Sequence, residues 1–129
     1  MLMKIILLIL FLLIPLSVYG ENGKVYYCSD TERVGFQQSQ NNKFGRFELQ
    51  RFKVQINFDK NFIKSEDMFF NTYDRFNCYK NIERQSLICS NEWGRSFEIN
   101  QNTLDFKYSV IPSNNKDSLI LSFGKCEIF

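Results

Sequence analysis

Apolar side chains recur at every second position along much of this chain. Phe52, Val54, Ile56 and Phe58 alternate with Arg51, Lys53, Gln55 and Asn57, the pattern of a strand with one face in a core and one in water. The same period runs through residues 24–29, where Val25 and Tyr27 oppose Tyr26 and Cys28. It returns at Phe97 and Ile99, at Leu104, Phe106, Tyr108 and Val110, and in residues 118–129, where Leu119, Leu121 and Phe123 share a face before Gly124 allows a bend. Residues 75–79 and 85–91 pair as a hairpin around the polar run 80–84. No segment carries a helical period. Residues 62–73 are the least readable stretch: Ser65, Glu66 and Asp67 can cap one helical turn holding Met68, Phe69 and Phe70, but a strand or loop is favoured.

One strand is out of phase with itself. Phe47 and Leu49 point one way and Phe52 to Phe58 the other, with the slip at Gln50 and Arg51. A β-bulge there returns both sets to one face and bends the strand. Turns are expected at residues 29–32, 59–61, 92–95 (with Gly94 at positive φ) and 100–102, and loops at 37–43 and 112–116. The result is an all-β fold, a small antiparallel meander of about eight strands closed as a barrel or sandwich.

Residues 1–20 are of a different kind. Lys4 precedes the apolar stretch 5–16, and Val18 and Gly20 are small enough to precede a cleavage site. The stretch is short for a bilayer span, which needs about 20 residues, and Pro15 interrupts it. A cleaved signal peptide over 1–20 and a single β domain over 21–129 are therefore expected, with a periplasmic or secreted location. The rival reading is an uncleaved anchor.

The four cysteines, Cys28, Cys78, Cys89 and Cys126, read as two disulfides in an exported chain. Four cysteines allow three pairings; Cys78–Cys89 across the hairpin and Cys28–Cys126 between first and last strands are favoured. A four-thiolate metal site lacks any closely spaced pair. The chain has no histidine, which removes Ser-His-Asp and Cys-His catalysis and imidazole metal sites. One of its 16 basic residues, Lys4, lies in the leader; the other 15 against 14 acidic residues leave a charge of +1. That is too weak for a dedicated nucleic-acid binder.

Four groupings invite chemistry. Asp30 and Glu32 form a candidate carboxylate pair with Arg33 as an anion clamp, against a plain polar turn as the better reading. Glu92, Trp93 and Arg95 form a candidate ligand or partner surface at a loop tip, against an indole folded back over the barrel mouth. The 14 Phe, 6 Tyr and single Trp can line an apolar cavity, but a small barrel is more simply filled by them. Lys43, Arg46, Arg51 and Lys53 interleave with Phe44, Phe47 and Phe52, as single-strand nucleic-acid surfaces do, yet alternation alone explains them.

The run from Tyr26 to Phe36, then Arg51 to Val54, Ser96 to Asn100 and Gly124 to Glu127, resembles a group of short exported proteins of marine bacteria with AT-rich genomes. The resemblance implies export and carries no activity over. The chain is also similar, by architecture and the Tyr26-x-Cys28 opening, to periplasmic lysozyme inhibitors, without an inhibitory loop motif.

A non-enzymatic binding or structural module of the cell envelope is thus the expected function. No cofactor, metal or catalytic residue is expected. The expected state is a monomer that binds a protein or small ligand, with no nucleic acid and no membrane beyond the leader. The alternatives are an inhibitor of a cell-wall hydrolase and a carboxylate-based hydrolase drawing on Asp30, Glu32, Glu66, Asp67 or Glu92.

Overall fold

Most of the alternating segments pair as strands among the described residues. A computed structural model describes residues 23–38, 41–64, 76–112 and 117–128, which form nine strands. These are β1 (Lys24–Gln37), β2 (Lys43–Arg46), β3 (Arg51–Asn57), β4 (Phe62–Lys64), β5 (Asn77–Asn81), β6 (Ser86–Ser90), β7 (Arg95–Asn100), β8 (Asp105–Val110) and β9 (Leu119–Ile128). All pairings are antiparallel. The sheet runs β4-β3-β1-β9-β8-β7-β6-β5, with β2 also on β1, and its two ends approach one another. Since β2 and β3 follow one another along the same side of β1, the fold is an up-and-down, nearly closed barrel of eight strands. Among the described residues no helix is long and apolar enough to cross a membrane. Residues 1–22, 39–40, 65–75 (with Glu66 and Asp67), 113–116 and 129 lie outside the described residues.

The interior is filled. Phe52, Phe97 and Phe106 sit at its centre with ring centroids 5.2 to 6.2 Å apart. Tyr26, Val54, Ile56, Ile63, Leu87, Ile99 and Tyr108, with Cys28, Cys89 and Cys126, complete the core. Each such buried side chain contributes roughly 1.5–3 kcal/mol. Arg51 and Lys53 stay exposed on either side of buried Phe52, so this basic run is an ordinary half-solvated strand.

Both expected disulfides form. Cys28 faces Cys126 across β1 and β9, and Cys78 faces Cys89 across β5 and β6, each pair directly opposed in register. Closing loops of 98 and 11 residues stabilises by about 4.7 and about 3 kcal/mol on the chain-entropy account.

Three expectations change. Residues 29–32 are not a turn but the middle of β1, a 14-residue strand. It continues because β9 pairs with it along its length, and the polar residues are absorbed by a bulge at Thr31, between the Asp30–Gly124 and Glu32–Phe123 pairs. The Thr31 hydroxyl donates to the Phe123 carbonyl at 3.0 Å. Before the bulge Tyr26, Cys28 and Asp30 face inward; after it Arg33 and Gly35 do. The phase change expected near Gln50 is real, but residues 47–50 leave the strand instead of bulging within it, and Leu49 ends up exposed. This break lies beside the β1 bulge, tied to it by Asp30 N–H to the Gln50 carbonyl (2.9 Å) and Phe47 N–H to the Arg33 carbonyl (2.8 Å). The two strands change face together. In β9 the inward face is Ser122, Gly124 and Cys126, because Cys126 must meet Cys28; Leu121 and Phe123 face solvent.

Candidate functional site

The barrel has two ends. One carries Lys24, the turn after β3, the β7–β8 turn and Ile128; the other carries Gln37, the β6–β7 turn and Ile111. Glu92, Trp93 and Arg95 stand together at the second. Trp93 is 66 % exposed and Glu92 is exposed, whereas Arg95 opens β7 on the inward phase of Phe97 and Ile99 and is half-buried. The indole does not fold over the mouth.

This turn is fixed by its backbone. The Asn91 side-chain oxygen accepts from the N–H groups of Trp93 (3.1 Å) and Arg95 (3.0 Å), and Asn91 N–H donates to the Arg95 carbonyl at 3.0 Å. Gly94 takes the expected positive φ, 79°, and its carbonyl accepts from Ile111 N–H at 2.8 Å. A Cβ on Gly94 would lie 2.0 Å from the Ile111 carbonyl oxygen, so only glycine lets the turn dock there. Docking sets exposed Ile111 (61 %) beside the tryptophan turn. Sequence reasoning missed Ile111, because the contact joins two turns by backbone alone.

The other candidate cluster is divided by the bulge. Asp30 and Arg33 point into the barrel, with Arg33 Nη1 3.5 Å from Asp30 Oδ2, while Glu32 faces outward toward Arg46, also at 3.5 Å. Asp30 Oδ2 also accepts from Gln50 N–H at 3.0 Å. Burial pushes the Asp30 carboxyl above its ordinary range; the Gln50 N–H and the Arg33 guanidinium pull it back only in part. Asp30 and Glu32 do not converge on one reacting centre, as a two-carboxylate hydrolase needs. The inward pair holds the bulge to the break between β2 and β3. Among the described residues no three of Cys, Asp and Glu gather as a metal site.

Fold and site together define a disulfide-locked, up-and-down barrel with a filled interior and its exposed tryptophan on a fixed turn. No protein-family model, curated protein or solved structure matches this chain.

Proposed function

We propose that this chain is an exported, non-enzymatic binding module of the cell envelope that takes a protein partner at the end carrying Trp93. The observation behind it is Trp93 itself, a large ring left 66 % exposed on a turn held by three hydrogen bonds. An aromatic anchor on a prefixed turn loses little conformational entropy on binding, and such anchors carry a large share of interface energy. Two disulfides fit a non-cytoplasmic compartment. The filled core leaves a carrier role like that of lipocalins without support.

The test is export into a bacterial periplasm followed by affinity capture, with Trp93→Ala in parallel. Intact mass should show cleavage after Gly20 and the loss of four hydrogens. A partner held by the parent and released by Trp93→Ala supports the reading, and equal retention by both ends it. Lysozyme-type hydrolases belong in the capture panel: inhibition by the parent alone would make the partner an enzyme and the module its inhibitor. Turnover of a glycan or peptide substrate by the pure protein would overturn the non-enzymatic assignment.

A further inference from the structure

The barrel end opposite Trp93 is hollowed. A cavity of about 510 Å³ lies between the start of β1, the end of β3, the β7–β8 turn and the end of β9. That is within the size range of small-molecule sites. Its lining divides by chemistry. Tyr26, Ile56, Phe58 and Leu104 give an apolar floor, with Tyr26 and Phe58 edge-to-face at 6.0 Å. Asn57, Asp59, Gln101 and Asn102 give a polar rim, joined by Lys24.

The rim is built on turns already fixed. Asn57 Oδ1 accepts from the N–H groups of Asp59 and Lys60, both at 3.1 Å. Asn100 Oδ1 accepts from those of Asn102 (2.8 Å) and Thr103 (3.0 Å), and Gln101 N–H donates to the Gln85 carbonyl at 2.8 Å. A ligand meeting these side chains therefore has no loop to order first.

Leu104 is the unusual member. Its φ is 62°, a left-handed conformation that strains a side chain with a Cβ and that glycine adopts freely. Two bonds hold it there: its N–H donates to the Asn100 carbonyl and its own carbonyl accepts from Cys126 N–H, both at 2.9 Å. Glycine would satisfy this backbone. Leucine accepts the strain and in exchange puts a branched aliphatic group against the core and in the cavity wall.

We infer that this mouth binds a neutral saccharide. Sugar hydroxyls both donate and accept, and the amides of Gln101 and Asn102 with the Asp59 carboxylate offer both functions around one opening. The apolar C–H face of a sugar ring suits Phe58 and Leu104, the half-buried members of the floor. Lys24 and Asp59 offset each other in charge, so the mouth does not attract a strongly ionic ligand. A wholly apolar ligand would strip water from the rim amides and give nothing back. The site is independent of the Trp93 turn, and neither reading depends on the other.

The experiment is a titration of the full chain with cellobiose and with N,N′-diacetylchitobiose, followed by methyl and side-chain amide NMR. Saturable shifts are expected at Ile56, Leu104 and Ile128 methyls and at the Gln101 and Asn102 amides, with Ile111 and the Trp93 indole unmoved. Gln101→Ala, at an exposed rim position, should weaken binding by about fivefold. Leu104→Gly, which suits the backbone, should fold and weaken binding by about fivefold or more. The inference is overturned by the absence of saturable shifts with either probe up to about 10 mM. Affinity unchanged in both variants, shifts confined to the Trp93 end, or binding of an apolar naphthalene sulfonate with neither sugar overturns it as well.

Discussion

Asp30 and Arg33 lie three residues apart on one strand and yet meet inside the barrel, guanidinium to carboxylate at 3.5 Å. In a regular strand, residues i and i+3 face opposite sides. The extra residue Thr31 brings the two onto one face, where the Asp30 carboxylate side chain is fully buried and that of Arg33 nearly so.

Breaking this pair from either side should be costly. Arg33→Met leaves a buried carboxylate and Asp30→Leu a buried guanidinium, each expected to lose about 3–5 kcal/mol in urea unfolding. Asp30→Leu is the worse of the two, because Asp30 also holds Gln50 N–H. The double variant should lose much less than the sum. Additive losses would show that the two side chains do not depend on each other.

The pH dependence of Asp30 runs against the usual carboxylate. Unfolded, it titrates near its ordinary 3.8; folded, it titrates higher because burial disfavours the charge. The folded state then binds the proton first as pH falls. Its contribution to stability is full below 3.8 and is lost as pH rises through the higher folded value. Measured against Asp30→Asn, the parent should lose relative stability from about pH 4 upward and level off above the folded value. A parent that gains on the variant as pH rises would show that the Arg33 attraction outweighs burial.

Removing Cys28–Cys126 should cost more than removing Cys78–Cys89, about 4.7 against about 3 kcal/mol, since the loops differ as 98 to 11 residues. Paired alanine variants compared by thermal melting check the order. Full reduction should destabilise by more than either, and a melt unchanged by reductant would contradict both values.

At the tryptophan turn two neighbours should respond oppositely. Trp93→Ala removes an exposed ring and should change stability by no more than about 0.5 kcal/mol. Gly94→Ala forces a Cβ into the Ile111 carbonyl at positive φ and should cost more than about 1 kcal/mol. Denaturant midpoints of the two proteins separate these effects.

The strands with one wet face were legible because their alternation is set by the water boundary alone. Phe52 to Ile56, Phe97 with Ile99, and Phe106 with Tyr108 all bury the side that the period assigns. The cysteine pairing followed from the same topology, which places first and last strands side by side. What escaped was inward polarity. Ser29 to Glu32 has the composition of a turn, and only β9 alongside forces it to stay extended. Residues 43–46 hold one apolar residue, Phe44, and it is exposed, so β2 gives no alternation to read. Of the candidate surface, Trp93 and Glu92 stood where a loop-tip reading puts them. Ile111 and the opposite mouth come from turns far apart in the chain, which no local pattern joins.

The Cys28–Cys126 bond has a mechanical consequence. It joins the first strand to the last at directly opposed positions, with the other seven strands inside the loop it closes. Tension entering along the start of β1 and leaving along the end of β9 crosses the bond and bypasses everything between. A pulled molecule should therefore stay folded at forces that unravel unbridged barrels, and should lengthen by the enclosed loop only after a reductant opens that one link.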